Sequence, residues 1–244
     1  MIYVSVTTIP QRIKTINKSI ESLINQTVKP DKIFINIPKI YKRFEKKIED
    51  NEVPNFPEIV EVTRCNDFGP GTKLLGSINK IDKNSLLILA DDDHVYDNFM
   101  IEKFNDHFTL SPNNAYSFYV HPLGNLGVGQ GADGFAINTD HLDGIEMFYD
   151  KIVKDYKELF IHDDLWISYY LFFIKRIKIL SLQKYLKMNE DGKRKTIYEI
   201  HNSQSTLISN YGSNIIQAVQ ERDKRAVNSI KYIQEKTKGL KFKN

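Results

Sequence analysis

Short runs of β-branched and aliphatic residues recur along the first part of the chain, each followed by helix-periodic or polar sequence. Residues 2–6 (IYVSV) read as a buried strand. Ile13, Ile16, Ile20, Leu23 and Ile24 then recur at helical spacing, and the pattern stops before Pro30. Residues 32–37 (KIFINI), 59–63 (IVEVT) and 86–90 (LLILA) predict three further strands. Between them a charged helix is expected over 41–50 and a short helix over 71–80. Largely apolar strands alternating with helices predict an α/β fold on a mostly parallel sheet flanked by helices. Ligands of such sheets bind outside the carboxyl ends of the strands, which points to the residues just after Val6, Ile37, Thr63 and Ala90.

Beyond residue 96 the pattern is less regular. Phe99, Met100, Phe104 and Phe108 supply an apolar stripe for a helix over 97–110. Residues 116–120 and 135–138 read as strands on either side of a glycine-rich segment, Gly124 to Gly134. Helices are expected over 142–156 and 164–173, a short strand before His201, and an amphipathic helix over 214–233. With no repeat or linker in view, one domain is expected over 1–244, its parts being 1–96, 97–202 and a helical tail, 203–244.

Composition changes this picture little. A chain of 244 residues, 41% hydrophobic and 27% charged, can bury a sizeable core. A net charge of +3 demands no nucleic-acid partner. Cys65 is the only cysteine, which excludes an internal disulfide and a cysteine zinc cluster; a reducing, cytoplasmic setting is the expectation. The opening apolar run is shorter than the roughly 7–15 residues of a signal-peptide core. No stretch reaches the ~18 apolar residues of a membrane span. The basic end (Lys236, Lys238, Lys241, Lys243) reads as a frayed terminus and leaves room for a peripheral membrane contact.

Candidate chemistry is concentrated in residues 86–97, LLILADDDHVYD. Asp91, Asp92 and Asp93 fall where a buried strand leaves the sheet. Adjacent carboxylates repel, so a fold tolerates them best beside a cation or hydrogen-bond donors. Oxygen ligands at this density suit Mg²⁺ or Mn²⁺, ions that commonly bridge carboxylates to substrate phosphates. The plainer alternative is a solvated acidic turn with Asp97 as a helix cap; the abrupt passage from an apolar strand favours the metal.

A strand ending in this cluster resembles the metal and nucleotide-diphosphate motif of the GT-A-fold glycosyltransferases, particularly inverting, family-2-like enzymes that read Asp-Asp-Asp there. The resemblance covers residues 2–202 and implies a Rossmann-like sheet with a smaller mixed sheet on the acceptor side. It implies metal-dependent transfer of a sugar, by default from a UDP-sugar, to a glycan, lipid-linked or protein acceptor. By this resemblance Asp91 meets the nucleoside and shares the metal, Asp93 is its principal ligand, and Asp92 lies between them. Thr7, Thr8 and Arg12 match the opening loop around the nucleoside, Asp67 a base or ribose contact, and Lys73 a diphosphate contact. The competing view makes Thr8 a helix cap, Arg12 and Lys73 solvated, and Gly69-Pro70-Gly71 an ordinary turn.

The glycine-rich segment does not follow the first strand, so it is no dinucleotide fingerprint. It is similar to the family's small-residue segment, where backbone passes close to the donor sugar, with Asp133 either touching sugar or holding a turn. Ile161-His162-Asp163-Asp164 resembles the Glu-Asp pair that opens a helix and supplies the general base, with His162 where Glu is usual. Asp163 matches the base best and Asp164 is the neighbouring alternative; both also suit helix capping. Trp166 either stacks on a sugar or sits in the core. His201 is the late histidine that the family often adds to the metal.

Three competitors follow. A nucleotidyltransferase would need a glycine-rich loop after the first strand, and residues 7–12 contain no glycine. A haloacid-dehalogenase-type phosphohydrolase would need a nucleophilic Asp there. A non-catalytic nucleotide- or sugar-binding protein would share the pocket without needing the base.

Overall fold

The computed structural model describes residues 1–44, 46–190, 192–193, 195–201 and 215–240, with side chains of the last stretch described from Glu221 onward. Its strands are β1 (Ile2–Thr7), β2 (Lys32–Pro38), β3 (Val60–Cys65), β4 (Leu86–Leu89), β5 (His94–Tyr96) and β6 (Asn114–Ser117). They continue with β7 (Val120–Leu123), β8 (Leu126–Gly129), β9 (Phe135–Asn138), β10 (Lys178–Ser181) and β11 (Tyr198–Ile200). The α-helices are α1 (Asn17–Ile24), α2 (Thr72–Leu75), α3 (Met100–Leu110) and α4 (Ile145–Phe148). After them come α5 (Lys157–Phe160), α6 (Asp163–Tyr169) and α7 (Ile215–Thr237). The expected start of the last helix at Asn214, most of the tail before it, and Lys241 and Lys243 lie outside the described residues.

Seven strands form one sheet in the order β10-β6-β9-β4-β1-β2-β3. All run parallel except β9, which is antiparallel to β4 and β6. Strands from both halves of the chain therefore share one sheet. Two small antiparallel pairs, β5 with β11 and β7 with β8, stand apart from this sheet. The chain winds outward from β1 to β3 and then returns to β4 on the other side of β1. Strand order reverses between β1 and β4, which opens a crevice at their carboxyl ends.

Alternation along the strands divides the core between the two faces. Tyr3, Phe34, Leu87, Leu89 and Phe135 pack with Leu74, Phe148, Trp166 and Ile167. Val4, Val6, Ile33, Ile35 and Ile88 pack with Ile20, Leu23, Met100 and Phe104. Burial of each such side chain contributes roughly 1.5–3 kcal/mol, so both faces hold the strand ends in place.

The charged helix expected over 41–50 does not form. Tyr41 bridges to Lys46, is buried, and donates from its hydroxyl to the Thr8 carbonyl at 2.9 Å. Arg64 Nη1 donates to the Ile48 carbonyl at 2.8 Å, and the Lys42 amide donates to Asp67 Oδ2 at 2.6 Å. These tertiary bonds outweigh a weak local helix preference. The helix expected over 142–156 is broken at Gly144, whose φ of 84° is left-handed. It resumes as α4 and widens into a π-helical turn, Tyr149–Val153.

Candidate active site

The site is built from the carboxyl ends of β1 and β4. Beyond β1, Thr7 Oγ1 donates to the Asn36 carbonyl at 2.8 Å, and Arg12 reaches across to the acidic turn after β4. Arg12 Nη1 lies 3.2 Å from Asp92 Oδ1 and also bonds Asp93. Two polar residues inside the strands set the next element. Ser5 Oγ donates to the Lys73 carbonyl at 2.5 Å, and Asn36 Nδ2 donates to Ser5 Oγ at 2.8 Å. This buried relay holds the start of α2 on the sheet and aims Lys73 into the crevice. Lys73 is 4% exposed, so it is no solvated surface cation. Its Nζ lies 2.5 Å from Asp91 Oδ1 and 3.2 Å from Asp163 Oδ2.

Asp163 and Asp164 open α6. The Gly131 amide donates to Asp164 Oδ1 at 3.0 Å. A β-carbon at Gly131 would come 2.8 Å from Lys73 Nζ, 3.2 Å from Asp164 Oδ1 and 3.5 Å from Asp91 Oδ1. Glycine lets the backbone pass this close to Lys73 and the two carboxyl groups without any of them shifting. Gly69 is required for a related reason: its φ is 63°, and a β-carbon would fall 2.2 Å from the Phe160 carbonyl. Gly69-Pro70-Gly71 is thus a packed junction against α5 and α6 rather than an ordinary turn.

Burial and pairing separate the acids. Burial favours protonation of Asp91, but Lys73 and then His94 outweigh it and hold the carboxyl below its usual value. For Asp92 burial prevails over Arg12 and pushes the group up to about 6. Asp133, on the glycine-rich segment, is likewise raised by burial to about 6. Burial, then the neighbouring Asp163 charge, drive Asp164 well above the carboxylate range. Burial works against the Lys73 charge, yet Asp163 and Asp91 keep its pKa well above normal. At the start of α6, Asp163 is ion-paired to Lys73, while burial and the Asp163 charge raise the Asp164 carboxyl.

One oxygen each of Asp91 and Asp93 and one ring nitrogen of His94 all lie within 4.8 Å of one another. His94 Nδ1 is 2.6 Å from Asp93 Oδ1. Two carboxylates and an imidazole form a donor set that fits a divalent cation. His201 stands beside this group: its Nε2 is 2.9 Å from Ser19 Oγ, and its amide donates to the Asp93 carbonyl at 3.1 Å. His94 carried no flag in the sequence beyond its place directly after Asp93. Tyr96, whose hydroxyl receives the Asp91 amide at 2.8 Å, braces the turn and was equally silent.

A cavity of about 630 Å³ spans the crevice. Its wall includes Thr7, Thr8, Arg12, Asp67, Lys73, Asp91, Asp92, Asp93, Asp163 and Asp164. Asp67 spends both oxygens on backbone amides, of Lys42 at 2.6 Å and Gly69 at 2.8 Å, and so organises two loops of that wall. Trp166 is fully buried against Tyr149 at a ring separation of 5.7 Å; it is a core residue and offers no sugar platform. Arg222, Asp223 and Ala226 of α7 also line the cavity, a contribution that the sequence pattern did not announce.

The architecture has known counterparts. Glucosyl-3-phosphoglycerate synthase of M. tuberculosis is similar over 97% of this chain and 80% of its own, with a TM-score of 0.54 at 10% identity. The fold is that of the GT-A glycosyltransferases. The same synthase in complex with Mn²⁺, UDP-glucose and phosphoglyceric acid matches the chain's GT-A fold with a TM-score of 0.51 at 12% identity, over 93% of this chain and 79% of that one. S. aureus TarS 1–349 in complex with UDP-GlcNAc gives 0.52 at 12% identity, over 86% of this chain. The match spans 61% of that TarS fragment. No protein-family model matches the chain, and no curated protein matches its sequence. Among the described residues no helix is long and apolar enough to cross a membrane.

Proposed function

We propose that this GT-A domain transfers a hexose from a nucleotide-diphosphate sugar, with UDP as the default nucleotide, to an acceptor hydroxyl with inversion at the anomeric carbon. One observation carries the proposal. A single cavity at the reversal of strand order joins three adjacent carboxylates, Arg12, buried Lys73 and the ion-paired Asp163. Complexes of the similar folds with UDP-glucose and Mn²⁺, and with UDP-GlcNAc, support the same class of donor.

In this proposal residues 1–96 bind the donor, with Thr7, Thr8 and Asp67 on the nucleoside side and Arg12 and Lys73 toward the diphosphate. Residues 97–202 supply the acceptor side. Asp91, Asp93 and His94 would hold the cation, with Asp92 behind them and His201 bordering the set. A mixed oxygen and nitrogen donor set suits Mn²⁺ better than Mg²⁺. When bound, that cation supplies positive charge to the diphosphate leaving group. Asp163 accepts the acceptor hydroxyl proton as its oxygen attacks the anomeric carbon. Asp164 receives the Gly131 N–H and fixes that backbone. Purified protein is incubated with a panel of nucleotide sugars and Mn²⁺, beside Asp93→Ala. Metal-dependent nucleotide release from one donor, lost in the variant, supports the transferase and names the sugar. Absence of both nucleotide release and nucleotide binding with every donor would sink it.

A further inference from the structure

Positive charge is distributed unevenly around the cavity. Arg12 is matched by Asp92 and Asp93, and Lys73 by Asp91 and Asp163. α7 brings Arg222, Asp223 and Ala226 into the wall, which His121 of β7 and His162 before α6 also line. This helix is firmly seated. Tyr232 stacks on Tyr156 with ring centroids 4.1 Å apart and planes 12° from parallel, and Ile233 is fully buried. Its register is therefore fixed by the core, and the cavity-facing residues follow from it.

Asp223 lies 3.3 Å from His121 Nε2 and 3.5 Å from Arg222 Nε, so one carboxylate serves two partners. Burial lowers the pKa of the His162 imidazole, and Arg225 and Arg222 lower it further, against Asp163 and Glu158. Asp163 is already engaged by Lys73. His162 Nε2 is buried with no hydrogen-bond partner among the described residues. The Arg222 guanidinium in the cavity wall and the unpartnered His162 nitrogen place donors next to the proposed base.

We infer that α7 completes the acceptor subsite and that Arg222 and His162 bind an anionic group, a phosphate or a carboxylate, carried by the acceptor. This rests on the transferase proposal for the same cavity. A guanidinium fork matches either anion in a bidentate manner, and placement beside Asp163 would orient a nearby hydroxyl toward the donor. The acceptor class is thus a small or terminal hydroxy compound bearing a negative charge, rather than a neutral glycan.

Calorimetric titration of the full chain, presaturated with UDP and Mg²⁺, tests this with inorganic phosphate and, separately, acetate. Presaturation keeps the probes away from the diphosphate end. Wild type should bind one of them saturably, and the tighter of the two assigns a phosphorylated or a carboxylated acceptor. Arg222→Gln should weaken binding roughly tenfold or more, as for loss of a charge-assisted hydrogen bond. Asp223→Asn should strengthen it, a gain that a misfolded variant cannot imitate. No saturable anion binding to the UDP-loaded chain, or equal affinity in all three proteins, overturns the inference and leaves the transferase proposal standing. Failure of UDP itself to bind with either Mg²⁺ or Mn²⁺ removes both.

Discussion

Lys73 Nζ lies 3.2 Å from Asp163 Oδ2 while the same buried ammonium sits 2.5 Å from Asp91 Oδ1. One side chain thereby links the turn after β4 to the first residue of α6, across the two halves of the cavity. Removing one member of a buried ionic group leaves the other charges uncompensated, at a cost of about 3–5 kcal/mol. Lys73→Met is expected to unfold at clearly lower temperature than wild type, with Mn²⁺ restoring part of the loss by neutralising Asp91. Thermal melts with and without Mn²⁺ check this; an unchanged Tm would show that the ammonium is dispensable.

Asp163 and Asp164 are adjacent but differently engaged, Asp163 by Lys73 and Asp164 by the Gly131 amide, so their amide variants should diverge. Asp163→Asn removes the proposed base and is expected to lower transfer by roughly 10²–10⁴-fold with UDP affinity retained. The Asp164 carboxyl is raised by burial and the Asp163 charge, and an amide oxygen can still receive the Gly131 N–H. Asp164→Asn should therefore cost far less rate. Parallel turnover and UDP-binding measurements decide the assignment, and the reverse ranking would move the base to Asp164.

Gly131→Ala places a methyl group 2.8 Å from Lys73 Nζ and 3.2 Å from Asp164 Oδ1. Overpacking of this kind costs about 1–3 kcal/mol, and here it falls on the charge network. Donor affinity should fall together with Tm. A variant that binds UDP like wild type would show that the segment can shift at no cost to the site.

Asp92 supplies a test in pH. Burial raises its carboxyl to about 6 in the fold, against an ordinary value of 3.8. A raised acid binds its proton more tightly when folded, so its contribution to stability is present below pH 3.8 and is lost as pH rises through about 6. Asp92→Asn cannot lose that proton. Its stability relative to wild type should therefore climb across this window, by on the order of 2–3 kcal/mol. Denaturant unfolding of both proteins at pH 4, 5, 6 and 7 measures the difference, and a flat difference would mean that Asp92 does not titrate there.

Much of the α/β frame is legible along the chain because buried strands must be locally apolar. β1, β2, β3, β4 and β9 each coincide with a run of such residues. The edge strand β10 escaped notice since three of its four residues are exposed and its sequence carries no strong period. β5 is only three residues long and exists through its pairing with β11. The loop at 41–50 went the other way, since its anchors on Thr8, Asp67 and Arg64 are remote in sequence.

The acidic turn was conspicuous in one dimension, for three carboxylates after an apolar strand demand neutralisation. The partners that meet them were not. Sequence determined the alternation of strands and helices and the types of charged group available, because propensity and burial act over a few residues. Tertiary structure alone decided that Lys73 is buried between Asp91 and Asp163, that His94 joins the carboxylates, and that Arg222 of α7 faces the same cavity. Distances between charges depend on how the sheet and its helices pack, and no local pattern records them.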